Sequence, residues 1–395
     1  MAIRIAIAGC GGMATGHLNA YLRIHSIEPG KAELAAMCDP VRAGAERFAQ
    51  TAKEATGKEP NVYEDIDQML EKEDLDGIDI CSPHGYHHVN AVKALNAGVN
   101  VMVEKPIGVT VKATHAIIEA AARNKKIAAT AEQIRREPSR RASKWLIDKG
   151  MIGEPRIFFS QQASWQAHSP DDPWRWRYDL NLGGGGMVMD SGAHYADTIR
   201  YLFGDPETVY ARVEQIEDRK VNKDGKRLQS AHEDTWTATI NFKSGVIGHW
   251  ANAYSAPGHS FKNVVYYGSE GALVDGGDIF HGPFPNAKVV LKDGTEIPMA
   301  QIVQEYKASL SEEETARLFP HGIEDGVTLE CYDFVDAIEN NRPPEIPAEL
   351  GLRAKAICEA IYESAAIGEV VQFEDVVSGK IETYQRPINR HWGLR

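Results

Sequence analysis

The chain has 395 residues, more than a single hydrophobic core usually organises, so its length favours two domains. Hydrophobic residues make up 43% and charged residues 25%, ordinary globular values that argue against long disordered segments. The formal net charge of -13 disfavours nucleic acid and anionic membranes as partners.

Residues 1–130 alternate short β-branched runs with amphipathic helical patterns, which is typical of a doubly wound parallel sheet. The predicted strands cover residues 3–8, 33–38, 77–81, 99–103 and 127–131, and the predicted helices cover residues 17–27, 41–55, 87–97 and 111–124. Right-handed crossovers join such units into a Rossmann sheet. We therefore predict an α/β fold whose first domain is a Rossmann domain of residues 1–130.

A glycine-rich turn directly follows the first predicted strand and opens the first helix. It matches the pattern G-x-G-x-x-G/A through Gly9, Gly11, Gly12, Met13 and Ala14. Gly9 permits a tight turn, Gly11 lets the backbone approach a pyrophosphate, and Ala14 keeps the helix close to the strand. The helix N-terminus adds free N–H groups and a positive dipole end, so this turn predicts a dinucleotide site.

The second predicted strand ends at Asp39, where a carboxylate can accept hydrogen bonds from both adenosine ribose hydroxyls and would repel a 2′-phosphate. This favours NAD over NADP as the cofactor. Arg42, one turn further on, could instead receive a 2′-phosphate. Asp39 followed by Pro40 also fits a helix cap, and one residue could serve as both cap and ribose acceptor.

Beyond residue 130 the pattern changes to one helix at 139–149 and then longer alternating strands. Strands are predicted at 236–242, 246–254, 263–274 and 287–291, with a turn at 243–245 and a helical tail at 329–366. We predict that residues 131–395 form an α+β domain with a large open, mainly antiparallel sheet. Such a sheet can hold substrate and pair with another subunit, so we expect a homodimer or homotetramer.

Three features of the sequence give further expectations. Arg135, Arg136, Arg140 and Arg141 form the only dense basic run, which we interpret as the solvated face of an amphipathic helix. The five cysteines form no C-x-x-C pair and resemble small buried apolar residues. The N-terminal apolar stretch is too short for a membrane span or a signal peptide, so we expect a cytoplasmic protein.

Four further segments carry a resemblance to a known family. They are C-S-P-H-G-Y-H at 81–87, V-E-K-P at 103–106, W-R-Y-D at 176–179, and a glycine run at 183–186 followed by D-S-G-A-H-Y-A-D at 190–197. Together with the glycine turn they resemble the Gfo/Idh/MocA oxidoreductase family over nearly the whole chain. The resemblance implies a nicotinamide-dependent oxidoreductase of the glucose-fructose oxidoreductase or inositol dehydrogenase type.

The resemblance also implies which residues surround the cofactor. Besides the glycine turn and Asp39, the implied contacts are Ser82, Pro83, His87, Glu104, Lys105, Pro106, Trp176 and Arg177. Glu104 would contact the nicotinamide ribose, and Pro106 would be the family's characteristic proline, often preceded by a cis bond. The chain departs from the family at His84, where an asparagine is usual, so the cofactor contact of that position is in doubt.

Lys105, Asp190 and His194 are the implied catalytic residues. An ammonium at the carboxyl end of a parallel strand can stabilise a developing alkoxide, which suits Lys105. Asp190 and His194 are four residues apart, so on a helix they would share a face, and the carboxylate could orient the imidazole for general acid-base work. Asp197 continues that face and could be structural. This scheme requires no metal ion.

Aromatic and cationic residues alternate between positions 165 and 178, a composition typical of a carbohydrate-binding loop. The same tryptophans could equally anchor the glycine run in the core. Within this stretch His168, Trp176 and Arg177 are predicted to bind substrate, together with Lys105, Asp190 and His194.

These patterns predict hydride transfer between a secondary alcohol of a sugar, glycoside or polyol and NAD, with NADP the less favoured cofactor. One alternative is a glycosidase of the same superfamily that keeps NAD bound and oxidises its substrate only transiently. A second is a non-catalytic sensor of cofactor or sugar. A third is a metal-dependent isomerase using Asp190, His194 and Asp197.

Overall fold

The computed structural model describes residues 2–395, which divide into two compact units. The first unit contains the residues up to Arg136 together with Ala316–Leu352, and the second contains Glu137–Thr315 together with Arg353–Arg395. The first unit therefore includes a segment from late in the chain, residues 316–352, whereas the predicted first domain covers only residues 1–130.

The first 136 residues alternate strands and helices in the predicted manner. The elements are β1 (Ile3–Ala8), α1 (Gly12–Ile27), β2 (Ala32–Cys38), α2 (Arg42–Thr56), β3 (Asn61–Tyr63), α3 (Ile66–Lys72), β4 (Gly77–Ile80), α4 (His84–Asn96), β5 (Asn100–Glu104), α5 (Val111–Asn124), β6 (Ala128–Ala131) and a 3₁₀ turn (Ile134–Arg136).

The middle of the chain is richer in strands. Its elements are α6 (Pro138–Asp148), β7 (Pro155–Ala163), a 3₁₀ turn (Trp176–Tyr178), α7 (Leu180–Gly183), α8 (Gly192–Phe203), β8 (Pro206–Glu214), β9 (Lys220–Lys223), β10 (Lys226–Gln229), β11 (Thr235–Phe242), β12 (Ile247–Ala253), β13 (Phe261–Gly268), β14 (Gly271–Asp275), β15 (Lys288–Leu291) and β16 (Glu296–Pro298).

The last hundred residues are mainly helical. They form α9 (Met299–Ser309), α10 (Glu312–Leu318), a 3₁₀ turn (Pro320–Gly322), α11 (Gly326–Glu339), α12 (Ala348–Ile367), β17 (Val371–Gln372), α13 (Phe373–Val377) and α14 (Arg386–His391).

The first unit is built on a six-stranded parallel sheet in the order β3-β2-β1-β4-β5-β6. This confirms the predicted Rossmann topology, in which the carboxyl ends of the strands carry the ligand site. The prediction missed β3 and α3, because a three-residue strand is too short to show a period. Helix α11 packs beside α1, and its Phe334 and Val335 are fully buried in the same core.

The second unit is built on a nine-stranded mixed sheet in the order β16-β15-β14-β13-β7-β12-β11-β8-β17. Most pairs are antiparallel, as predicted, whereas β7 and β12 run parallel. In β11, Trp236, Ala238, Ile240 and Phe242 are buried on one face, as the alternation predicts. The single strand predicted over 263–274 is in fact the hairpin of β13 and β14.

The interpretation of the basic run as a solvated helix face is wrong, because Arg135, Arg136, Arg140 and Arg141 are all buried. In the first unit Arg136 pairs with Asp333 and Glu345, at 3.2 and 2.9 Å. In the second unit Arg140 pairs with Glu137 and donates to the carbonyl oxygen of His281. Buried guanidinium groups are tolerated because carboxylates and carbonyls accept their hydrogen bonds.

All five cysteines are free thiols, and four of them are buried, as expected for small core residues. Among residues 2–395, no helix combines the length and apolar character needed to cross a bilayer.

Candidate functional site

The glycine turn leaves room for a ligand where the prediction requires it. A Cβ atom at Gly9 would lie 2.7 Å from the backbone nitrogen of Ser82, and the φ of Gly9 is +96°, so this position requires glycine. A Cβ atom at Gly11 or Gly12 would meet nothing within 4 Å. Gly11 precedes the sixteen-residue helix α1, whose free N–H groups therefore face open space that suits a pyrophosphate.

Asp39 is fixed beside this turn by two backbone amides. Its Oδ2 accepts from the N–H of Cys10 at 2.7 Å, and its Oδ1 accepts from the N–H of Val41 at 2.7 Å. Because each carboxylate oxygen has a second lone pair, the predicted ribose contact stays available. The helix-cap alternative is not what the structure shows, because α2 begins at Arg42 with Val41 as its N-cap.

Arg42, the alternative contact for a 2′-phosphate, already has two acidic partners. Its exposed guanidinium contacts Glu46 at 2.7 Å and Glu64 at 3.4 Å. A phosphate at this position would therefore face two carboxylates as well as Asp39. The local charges accordingly favour NAD.

His87 ties the two family motifs of the first unit together. The ring is fully buried, with Nδ1 lying 2.9 Å from the carbonyl oxygen of Pro106 and Nε2 lying 2.7 Å from that of Ser82. Burial lowers the pKa of His87, while the two carbonyl contacts act in the opposite direction. The peptide bond between Lys105 and Pro106 is cis. His87 thus positions the backbone at both motifs, beside Pro83 at the start of α4.

Glu104 points into a buried polar cluster. Its Oε1 lies 2.9 Å from Nε2 of His17, whose Nδ1 lies 2.7 Å from Oδ2 of Asp79, and all three side chains are almost fully buried. The contact of Glu104 with the nicotinamide ribose stays a prediction. The structure gives this carboxylate a partner on α1, the helix that follows the glycine turn.

The charges of this cluster are set by burial and proximity. Burial alone would lower the pKa of His17, but the charge of Asp79 and its hydrogen bond raise it well above its usual value. Burial raises the pKa of Glu330, whose Oε1 lies 3.5 Å from His17, well above its usual range. The cluster is therefore best described as an imidazolium between two carboxylates, with Glu330 protonated.

The second unit contains a polar cavity of about 430 Å³. Three residues predicted to bind substrate, His168, Arg177 and Asp190, line it together. The rest of its wall comes from Gln166, Ala167, Asp172, Arg175, Tyr178, Met187, Arg219, Ser230, His232, Glu233 and Tyr254. Cavities of this size with converging polar groups and aromatic rings are typical of small-molecule sites.

Arg177 organises one wall of the cavity. Its Nε donates to Oδ2 of Asp190 at 2.7 Å, and its guanidinium lies 4.3 Å from the ring centre of Trp176. Its backbone oxygen accepts from Nε2 of His232 at 2.9 Å, which leaves Nδ1 of His232 as an acceptor. Burial lowers the pKa of His232, so the ring is neutral at physiological pH.

Glu233 holds the end of the glycine run at 183–186 in place through hydrogen bonds. This buried carboxylate accepts from the N–H groups of Gly186 and Val188 and from the hydroxyl of Tyr362, at 2.8 to 3.0 Å. A Cβ atom at Gly186 would lie 2.4 Å from Oε2 of Glu233, so a larger residue would displace the anchor. Glu233, which lines the cavity, therefore holds the end of the glycine run in place.

Asp190 does not share a helix with His194, so the predicted helical spacing of the two residues is wrong, whereas their pairing stays a prediction. Helix α8 begins only at Gly192, so Asp190 lies in the preceding turn, where its N–H donates to the carbonyl oxygen of Gly186 at 2.9 Å. The carboxylate of Asp190 accepts from Nε of Arg177. His194 and Asp197, by contrast, lie on α8 and are buried.

His194 has an imidazole neighbour that the motif did not predict. Its ring centre lies 5.4 Å from that of His281, and His281 in turn contacts the carboxylate of Asp278 at 3.0 Å. Among the described residues, His194 is not one of those that line the 430 Å³ cavity. Lys105, the third predicted catalytic residue, follows β5 in the first unit and is partly buried.

Sequence reasoning missed a group of five cavity residues, Arg219, Ser230, His232, Glu233 and Tyr254. They lie in the segments between β8 and β13, far along the chain from the 165–178 stretch. The only signal in the sequence was the cluster of charges at 217–220 and 232–234, which resembles an ordinary polar loop.

Two family models match the chain. Residues 3–132 match the model described as "Oxidoreductase family, NAD-binding Rossmann fold", and residues 141–274 match the model described as "GFO/IDH/MocA C-terminal domain". Together the two models cover most of both units, including the glycine turn, the V-E-K-P motif and the glycine run.

Individual proteins are similar to the chain at 24 to 26% sequence identity. The chain is 26% identical over 374 residues to a D-apiose dehydrogenase from Paraburkholderia graminis, covering 94% of this chain and 90% of that protein. It is 24% identical over 313 residues to a 1,5-anhydro-D-fructose reductase from Ensifer adhaerens, covering 78% and 83%. The structure of an NAD binding oxidoreductase from Klebsiella pneumoniae superposes with a TM-score of 0.75 at 25% identity, covering 94% and 99%.

Proposed function

Because this chain belongs to the Gfo/Idh/MocA family of NAD-binding oxidoreductases, we propose that it oxidises a secondary alcohol of a sugar, glycoside or polyol. The observation that carries the proposal is the 430 Å³ cavity, in which His168, Arg177 and Asp190 converge with aromatic rings. The two relatives above, named for a sugar and an anhydrosugar, support this substrate class.

The first unit would hold the cofactor through its backbone. Gly11 and Gly12 would bind the pyrophosphate at the start of α1, Met13 and Ala14 would continue that contact, and Asp39 would accept from the adenosine ribose. Ser82, Pro83, Pro106 and Glu104 would surround the nicotinamide end, with His87 positioning their backbone. Bound NAD supplies the hydride acceptor.

Lys105 and His194 would divide the chemistry of the carbinol. His194 would take the hydroxyl proton as the C–H bond breaks, and the Lys105 ammonium would stabilise negative charge on the carbinol oxygen. Asp190 would act through its ion pair with Arg177, which fixes that guanidinium for a substrate hydroxyl. Trp176 would support the same guanidinium, and the scheme uses no metal ion.

The test is a panel of neutral sugars, inositols and methyl glycosides assayed with NAD and with NADP, followed by the absorbance of reduced nicotinamide. We expect steady production of NADH with at least one polyol. A burst equal to the enzyme concentration, with release of a sugar and no accumulation, would establish the glycosidase instead. Activity that a strong chelator abolishes would establish a metal-dependent enzyme, and no reduction with any polyol would leave the sensor.

The proposed homodimer or homotetramer is supported by the outer face of the nine-stranded sheet. Tyr210, Ile247 and Tyr267 lie on β8, β12 and β13, which alternate with β11 and β7 in the sheet, and they are 42 to 43% exposed. Light scattering should give a multiple of 43.5 kDa, and Ile247→Glu should reduce it, whereas Leu228→Glu on the separate β9–β10 hairpin should not. A mass of 43.5 kDa for the unmodified chain would contradict this assembly.

The cytoplasmic location is likewise a proposal. It is supported by the five free thiols, since unpaired buried cysteines are the rule in reducing compartments.

A further inference from the structure

Arg219 lies in the loop between β8 and β9 and is held from one side only. Its Nε donates to Oδ2 of Asp234 at 3.2 Å, and its backbone oxygen accepts from the N–H of Ser230 at 2.9 Å. Asp234 is itself fixed by the N–H groups of Ile216 and Glu217. The base of this guanidinium is therefore rigid.

The outer end of the same guanidinium has unused hydrogen-bonding capacity. Arg219 is 8% exposed, and its Nη2 is buried without a hydrogen-bond partner among the described residues. Arg219 lines the 430 Å³ cavity. An arginine nitrogen without an acceptor is unfavourable, and because Nη2 has almost no accessible surface, a ligand oxygen would restore its hydrogen bond only with a small shift of the groups that cover it.

Two carboxylates in the cavity wall already accept hydrogen bonds from protein donors. The Asp190 carboxylate accepts from Arg177, and the Glu233 carboxylate accepts from two backbone amides and Tyr362. The exposed Arg175 also lines the cavity and adds further donors. Arg175 and Arg219 therefore both offer donors to a ligand in this cavity.

Arg219 also lines a second cavity of about 460 Å³. The two cavities share Gln166, His168 and Arg219, and the second is bounded further by Trp165, Lys220 and the acidic pair Glu217 and Asp218. A ligand group bound to Arg219 would therefore lie near carboxylates as well as cations. That mixture favours a single negative charge over a phosphate dianion.

On the basis of the proposed function, we propose that the substrate is an acidic carbohydrate, a uronic or aldonic acid derivative, whose carboxylate binds the outer nitrogens of Arg219. A planar carboxylate matches the guanidinium fork, and a charge-assisted pair is stronger than the bond from a neutral hydroxyl. The carboxylate would then orient the sugar ring within the cavity that Arg177 and Asp190 line.

The first experiment compares substrates that differ only in this group. Methyl glucopyranosiduronate is assayed against methyl glucopyranoside, and the galacto and manno pairs are treated in the same way, with NAD in excess. We expect kcat/KM to be roughly 10- to 100-fold higher for the acidic member of the accepted pair, the range for one hydrogen bond to a charged group. The corresponding sugar 6-phosphates test the alternative oxyanion.

The second experiment uses variants of the assembled, NAD-loaded protein. Arg219→Gln should reduce the preference for the acid to about threefold or less, mainly through a higher KM for the acid. Arg219→Lys keeps a charge beside Asp234 but lacks the fork, and should lose about tenfold on the acid. Arg212→Gln is the matched control, since that arginine is exposed on β8 and pairs with Glu214; it should change neither value.

The outcomes separate the two proposals. Equal or better turnover of the neutral glycosides, or an acid preference that survives in folded Arg219→Gln, would overturn the acidic substrate while leaving the dehydrogenase in place. A preference for sugar phosphates over uronates would overturn the carboxylate assignment. Should Arg219→Gln not fold, the preference of the unmodified enzyme and of Arg219→Lys decides. Failure of every acidic and neutral polyol to reduce NAD would overturn both proposals.

Discussion

The polar side chains of the glycine turn and those of the polar cavity are held in place by different kinds of partner. In the turn, the polar groups are fixed by backbone amides and carbonyls, as Asp39 is by the N–H groups of Cys10 and Val41. In the cavity, side chains fix one another, as Arg177 and Asp190 do, and Arg219 keeps a nitrogen without a partner.

This difference indicates which properties each region can vary. A ligand held by backbone groups is recognised by shape and by the position of a helix end, which few substitutions alter. A ligand held by side chains is recognised by a particular set of donors and acceptors, so single substitutions change the preferred substrate. We therefore expect cofactor choice to depend on few residues and substrate choice on many.

The largest effect on kcat should come from substitutions of Lys105 and His194. These variants test whether catalysis, like substrate binding, depends on single side chains. Lys105→Met keeps much of the side-chain length but removes the charge that stabilises the alkoxide, a contribution of roughly 2.7–4 kcal/mol at comparable sites. We expect kcat to fall by about two to three orders of magnitude. His194→Ala removes the proton acceptor, and kcat should fall by about 10²- to 10⁴-fold.

The control for both variants is NAD binding, measured by fluorescence or calorimetry. It should change little, because neither substitution alters the glycine turn or Asp39. Near-unmodified turnover in either variant would remove that residue from the mechanism.

The next effect concerns stability and the buried cluster of His17, Asp79 and Glu104. His17→Gln removes the imidazolium and leaves two buried carboxylates facing each other, so the free energy of unfolding should fall by about 3–5 kcal/mol. His25→Gln, in the last turn of the same helix, is the matched control and should cost less than about 1 kcal/mol. Equal losses in both variants would mean that the cluster adds nothing specific.

The pH dependence of this loss has a definite sign. Because the pKa of His17 is raised in the folded protein, its stabilising contribution is complete below its unfolded pKa of about 6.5. The contribution is lost as the pH rises toward the folded-state pKa. Denaturant unfolding should therefore show a smaller difference between unmodified protein and His17→Gln at about pH 9 than at about pH 6. A difference that grows with pH would mean that His17 is neutral.

Much of the first unit could be predicted from the sequence because its signals are local. Buried parallel strands read as continuous apolar runs, and the glycine turn occupies consecutive positions after β1. What the sequence could not indicate was partners distant along the chain. Arg136 looked solvated because its partners, Asp333 and Glu345, come some 200 residues later.

The second unit shows the same limit at the candidate site. The aromatic stretch indicated His168 and Arg177 correctly as cavity residues, but Arg219 and His232 reach the cavity only through the folding of the sheet. The spacing of Asp190 and His194 suggested a shared helix face. Periodicity could not show that the chain turns between Gly186 and Ser191 before α8 begins.

The smallest of the predicted effects concerns the choice between NAD and NADP. It tests the comparison of the two regions most directly, because it contrasts Asp39 and Arg42, two charged residues beside the same turn. Asp39→Ala removes the ribose acceptor and the repulsion of a 2′-phosphate, and also frees the N–H groups of Cys10 and Val41. We expect the KM for NAD to rise about tenfold, with a smaller change for NADP, as for the loss of one charged hydrogen-bonding partner.

Arg42→Ala should change the NADP/NAD ratio of kcat/KM by less than about threefold, because Glu46 and Glu64 already engage that guanidinium. Steady-state kinetics with both cofactors on both variants decides the matter. An unchanged ratio in Asp39→Ala would mean that this carboxylate serves only to fix the turn, and a large change in Arg42→Ala would mean that the arginine leaves its acidic partners to bind a 2′-phosphate.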